Sequence, residues 1–308
     1  MLTLFDIGLH FPERVEKIGA VAEELALSQD QTRMYARFFG FESFRCDPEQ
    51  ALAPLLHKAA RLVLERNEEL GERLTHVVYC HTLPSTAVFS GDTHSVLEPF
   101  FAQGLEAFSV TMNHCATGLT ALSILEEILT DDGVALVLIG EKAFHRVVRV
   151  IENATIMGEA GCALLVGRGV GPYRILGSAT SHDGRFACIT GRPGDDSLSA
   201  FADSYVDFAC ESIQRALTRF GVGLADIRCV MPHNVNIPSW TQIARQIGLD
   251  PHRILLSTIG RYGHCFGADP FINLQHARQQ GVVGPSDIAL LFSIGLGATA
   301  SSALIEVQ

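Results

Sequence analysis

The sequence is poor in positive charge. Of 308 residues, 23 are Lys or Arg against 34 Asp or Glu, giving a formal net charge of −11. That balance argues against a broad surface for nucleic acid or anionic membrane, both of which need basic residues. It leaves room for a local basic patch or for an acidic carrier protein. Cysteine pairing is also missing. The eight cysteines, at 46, 80, 115, 162, 188, 210, 229 and 265, form no C-x-x-C, and several sit inside apolar runs. No zinc or disulfide framework is therefore expected, and a reducing cytoplasm fits. No apolar run reaches the length of a membrane span. The opening M-L-T-L-F-D-I-G-L-H lacks the basic start and apolar block of a signal peptide. Tryptophan occurs once, at 240.

What is present is apolar. Such residues make up 47% of the chain, enough for a large core. Buried-type strands are expected at Thr75–Cys80, Val134–Gly140, Ile227–Met231 and Ile288–Ser293, with further strand-like runs at Arg185–Thr190 and Ile254–Leu256. Helical patterns cover Pro48–Leu70, Cys115–Leu129, Phe201–Phe220, Ser239–Ile247 and Asp269–Gln279, and 191–199 reads as a polar loop. The order of elements repeats with an offset of about 150 residues. The expectation is an α/β protein of two halves, 1–169 and 170–308. Apolar strands such as V-A-L-V-L-I-G need cover on both faces. A five-layered αβαβα sandwich, with the Cys115 and His264 helices in the middle, supplies that cover.

The chemistry gathers at breaks between strands and helices. Cys115, after S-V-T-M-N-H, opens an apolar helix. At a helix N-terminus the free N–H groups and the dipole favour thiolate. A plainer reading makes it a small buried hydrophobe. The duplication places His264 at the place equivalent to Cys115, and His233 at a neighbouring strand end. Singly, each of the twelve histidines reads as structural or exposed. Jointly, a cysteine and two histidines suit acyl transfer from a thioester. The turn Gly295-Leu296-Gly297 offers a closely approaching backbone amide for an oxyanion.

Five segments in order, N-H-C-A-T-G-L-T-A-L, M-G-E-A-G-C-A-L-L, H-N-V-N, G-R-Y-G-H and S-I-G-L-G-A-T-A-S-S-A-L, make the chain resemble the thiolase-fold condensing enzymes, and among them ketoacyl-ACP synthase III. The resemblance implies a homodimer and an acyl-enzyme on Cys115. It implies His233 as a catalytic histidine and the backbone amides of Cys115 and Leu296 as oxyanion donors. Phe89 or Val88 stands where the family sends a loop into the partner's acyl pocket. No metal or tightly bound cofactor is implied; the substrates are acyl-CoA or carrier-protein phosphopantetheine thioesters. The chain departs from the family where His264 replaces an asparagine. It departs again in the coenzyme A clamp, where Arg33 and Arg37 only approximate the usual residues and Pro238 replaces an arginine. Further substrate-contact candidates are Asn236, Trp240, Gly295 and Gly297. Three functions are expected to compete. The first is decarboxylative condensation with a malonyl-type thioester, and the second is acyl transfer to an alcohol or amine. The third is a non-catalytic partner subunit.

Overall fold

In a computed structural model that describes residues 1–82, 92–143, 145–187 and 196–308, strand Val134–Ile139 shows how the layers arise. All six of its residues are buried. Side chains alternate across a strand, and here Ala135, Val137 and Ile139 enter one core while Val134, Leu136 and Leu138 enter another. Ile288–Gly295 does the same in the second half, sending Ala289 and Leu291 to the first core and Leu290, Phe292 and Ile294 to a third.

The main sheet has nine strands: β1 (Thr3–His10), β2 (Leu74–Cys80), β3 (Glu106–Val110), β4 (Val134–Ile139), β5 (Gly161–Gly167), β6 (Tyr173–His182), β7 (Ile227–Pro232), β8 (Ile288–Gly295) and β9 (Thr299–Val307). In the first half the order is β1-β5-β4-β2-β3, and in the second β6-β9-β8-β7. In each half the first two pairings are antiparallel and the inner β4–β2 or β8–β7 pairing is parallel. Ile254 bridges Val230 in parallel, in the place that β3 takes in the first half. The halves meet where β1 runs antiparallel to β6 over only Thr3↔Arg174 and Leu4↔Tyr173.

Helices fill the remaining layers. Of the outer helices, α1 (Leu52–Arg66) and α2 (Asp92–Phe101) cover the first half. Between the two halves of the sheet lie α3 (Thr117–Ile128), with Leu119, Leu122 and Leu125, and α6 (Asp269–Gln279), with Phe271, Ile272 and Leu274. On the far face, α4 (Ser197–Phe220) and α5 (Ile237–Ile247) cover the second half through Phe208, Ile213, Trp240 and Ile243. The architecture is the expected five-layered one.

Three expected elements differ. Arg185 and Phe186 belong to a single 3-10 turn, Gly184–Phe186, because the Asp183 carboxylate accepts the Arg185 N–H at 3.1 Å and caps it. Residues 188–190 of that run lie outside the described residues, as do 191–195 of the polar loop. Ile254–Leu256 is one bridge rather than a strand. The Pro48–Leu70 helix breaks at Asn67, whose side chain turns back to the Val63 carbonyl and to Asp6, both at 2.8 Å. Among the described residues no helix is long and apolar enough to cross a membrane.

Candidate active site

The chain leaves β3, passes through the left-handed residues Met112 (φ 71°) and His114 (φ 48°), and enters a 3-10 turn, His114–Ala116, that leads into α3. Cys115 is the middle residue of that turn and is 6% exposed. Its carbonyl accepts from Ser293 Oγ at 2.7 Å. The loop is pinned from the other half as well. A Cβ on Gly295 would stand 2.1 Å from the Asn113 carbonyl oxygen, so only glycine lets β8 come this close.

The second half repeats the turn at Phe266–Ala268, with Phe266 left-handed at φ 53°, before α6. The two turns touch. A Cβ on Gly118 would meet the Gly267 carbonyl at 3.0 Å, and one on Gly267 would lie 3.4 Å from the Cys115 carbonyl. Left-handed residue for left-handed residue, the counterpart of Cys115 is Gly267, not His264. His264 sits three positions earlier, which corrects the expected equivalence. It nonetheless faces the same cavity as Cys115, with its backbone tied to Ile156 O at 2.9 Å, and the Cys115 charge acts on its ring.

The other ring nitrogen, Nδ1, is bonded to Asp269 Oδ2. Asp269 is fully buried in the first turn of α6. Its oxygens also accept Cys265 N at 2.8 Å and Asn234 N at 2.7 Å. Burial opposes charge on His264. The Cys115 and Asp269 charges and hydrogen bonds override it and raise the imidazole to about 10.

His233 follows the end of β7, 5.8 Å from His264 between ring centroids. Burial, and then the His264 charge, hold it well below the ordinary value. Its Nε2 is 2.7 Å from the Tyr205 hydroxyl, and its carbonyl accepts the Trp240 indole N–H at 2.8 Å. A buried network of Asn234, Thr258 and Asn273 joins this loop to the His264 loop. Asn234 Nδ2 donates to Gly263 O at 3.0 Å, and Asn273 Nδ2 donates to Pro232 O at 2.7 Å.

Cys115, His233, His264, Asn236, Gly295 and Leu296 line one cavity of about 280 Å³. None of its described lining residues is Lys or Arg; Glu152, Asn153, Asn236, Ser239 and Gln242 supply its polar wall. Of the seven described non-glycine residues with left-handed backbone, Asn153 lines this cavity, His114 precedes Cys115 and Phe266 stacks on His264. Such conformations cost about 1–3 kcal/mol each and gather at functional sites.

Other candidates fall elsewhere. Trp240 is fully buried beneath His233 and does not line this cavity, since its large ring fills the α5 core. Arg37 is exposed on the Met34–Phe38 π-helix, and none of that helix lines the cavity. Gly297 (φ 84°) shapes the turn after Gly295 without lining the cavity. The Asn236 amide is engaged structurally, capping α5 through Ser239 N at 2.8 Å and donating to Ala154 O at 3.0 Å. Phe89 and Val88 lie outside the described residues. Sequence reasoning missed Asp269 and Tyr205. The signal for Asp269 was an acid five residues after a candidate histidine, followed by a proline.

The profile of the 3-oxoacyl-[acyl-carrier-protein] synthase III C-terminal family matches residues 217–307. The chain is 22% identical over 283 residues to beta-ketoacyl-[acyl-carrier-protein] synthase III of Desulfitobacterium hafniense strain Y51, a match that covers 84% of each chain. Among solved structures, ChlB3, described as an acyltransferase, matches with a TM-score of 0.85 at 17% identity over 99% of this chain and 97% of that one. The 3-oxoacyl-[acyl-carrier-protein] synthase III of Aquifex aeolicus VF5 matches at 0.81 and 20% identity, over 99% and 100%. The chain shares the fold of these synthase structures, and its residues 217–307 carry the match to the synthase III C-terminal family.

Proposed function

We propose that this protein transfers an acyl group from a thioester, through Cys115, to an alcohol or amine. The relay Asp269–His264–Cys115 carries the reading. His264 takes the thiol proton, and the thiolate attacks the donor carbonyl. Backbone N–H groups of Cys115 and Leu296 hold the oxyanion. The donor C–S bond then breaks, and His264 returns the proton to the departing thiol. In the second half-reaction the same imidazole takes the proton of the acceptor O–H or N–H as its oxygen or nitrogen attacks the acyl-cysteine, and the Cys115 thiolate leaves. Asp269 fixes the tautomer and stabilises the imidazolium. The neutral and acidic wall of the cavity suits such an acceptor, and ChlB3's description as an acyltransferase agrees.

Decarboxylative condensation is the second reading. The paired histidines and the synthase III relatives favour it. In that case the carbon nucleophile comes from a malonyl-type thioester losing CO2. The donor in either reading is an acyl carrier protein or coenzyme A thioester, and the acting unit is a homodimer of chains whose halves divide near residue 170.

Intact-protein mass spectrometry with a panel of acyl thioesters tests both. The expected result is an acyl adduct that is absent in Cys115→Ala and discharged by hydroxyl or amine acceptors without CO2. Discharge by malonyl thioester with CO2 release establishes condensation instead. No adduct from any donor makes the chain a partner subunit. Light scattering reads the dimer.

A further inference from the structure

One polar group beside Cys115 takes no part in this scheme. Tyr205, on α4, lines the cavity with its hydroxyl 2.7 Å from His233 Nε2. His233 Nδ1 is buried and has no partner. The ring is neutral, because burial and the neighbouring His264 disfavour its charged form. It therefore carries one N–H. Placed on Nδ1, that proton would be a buried donor without an acceptor, which folded proteins rarely keep. Placed on Nε2, it is donated to the Tyr205 oxygen. The Tyr205 O–H is then left to donate into the cavity. Burial and the Cys115 charge both keep that hydroxyl protonated. A hydroxyl already accepting one hydrogen bond is a stronger donor for the next.

Resting on the acyl-transfer reading above, we propose that the Tyr205 hydroxyl donates to the carbonyl oxygen of the thioester under attack at Cys115, as a side-chain member of the oxyanion site. His233 is then a positioning residue, held in turn by the Trp240 indole at its carbonyl. The donor that meets the substrate is the phenol, and His233 acts through it.

Tyr205→Phe removes only the hydroxyl. Two rates are read on the same thiol: acylation by a thioester, and alkylation by iodoacetamide, which forms no oxyanion. Acylation is expected to slow about 10²–10³-fold, with alkylation unchanged. Unchanged acylation, or an equal fall in both rates, overturns the assignment. If Tyr205→Phe does not fold, 3-fluorotyrosine at position 205 keeps the shape and acidifies the phenol. As a more acidic donor it is then expected to change the acylation rate and leave alkylation unchanged, and an unchanged acylation rate overturns the role. Failure of the unmodified protein to acylate overturns the function reading along with this one. Normal acylation that is indifferent to Tyr205 overturns this one alone.

Discussion

In the first half of the chain a left-handed His114 precedes Cys115 at the start of α3; in the second a left-handed Phe266 precedes Gly267 at the start of α6. The backbone has solved the same problem twice, bringing a central helix off a sheet edge, and the two solutions lie in contact. The chemistry is not repeated. One half keeps a cysteine at the turn. The other leaves a glycine there, making room, and moves its functional groups to the residues before and after it: His264 three positions upstream and Asp269 two positions downstream. The frame thus holds two helix starts, one bearing the sulfur and the other a glycine flanked by His264 and Asp269.

The two histidines of the second half diverge in the same manner. Both are buried, yet His264 is raised to about 10 while His233 is pushed well below 6.5. The difference lies in the surroundings: the Cys115 and Asp269 charges beside one, a neutral phenol beside the other. Cys115 also differs from the other described cysteines in lining the cavity, which none of them does. Burial pushes up the thiols of Cys46, Cys80, Cys162, Cys210, Cys229 and Cys265, and none of these is paired with an imidazole.

The contrast can be broken most severely at the sulfur. Cys115→Ala should remove the acyl adduct entirely, with no other cysteine substituting; peptide mapping after thioester treatment reads this. Next comes the relay. Asp269→Asn removes the charge that supports the imidazolium, so acylation should fall on the order of 10²-fold or more and iodoacetamide labelling of Cys115 at neutral pH should slow with it. Labelling at the unmodified rate would separate Asp269 from the thiol. The frame gives a smaller effect. Gly295→Ala forces a Cβ against the Asn113 backbone, and about 1–3 kcal/mol of stability should be lost, seen as a lowered denaturation midpoint together with slower acylation.

The smallest effect separates the two imidazoles by pH. His264 holds its proton more tightly folded than unfolded. Its contribution is therefore full below about 6.5 and is lost as pH rises through about 10. His233 has the opposite sign. Its folded value is depressed, so the unfolded chain gains the proton first and stability falls as pH drops below 6.5. The loss is about 1.4 kcal/mol for each pH unit between the two values. His233→Phe should flatten the acid side of the denaturation profile and leave the alkaline side in place.

The strands were legible because a run like Val134–Ile139, apolar at every position, has few other places to go than a sheet covered twice. The bounds of α6 were legible from Asp269-Pro270 at its start. The same Asp269 was read past for that reason: an acid in a helix's first turn already has an explanation in the dipole, and nothing in the sequence shows its second partner. Tyr205 was hidden similarly, inside a long helix where an aromatic reads as packing. The misplaced equivalence of Cys115 with His264 came from aligning the polar breaks, whereas the repeat is carried by backbone handedness at His114 and Phe266, two residue types that do not advertise it.

Trp240 is the chain's one indole, wholly shielded, donating to the His233 carbonyl with its ring 5.5 Å from that imidazole. The protein thus carries a built-in fluorophore beneath the candidate site. Its emission has a single origin, and a nearby imidazolium quenches indole light. Loading of the cavity or acidification of His233 becomes an optical signal, readable in real time without a label.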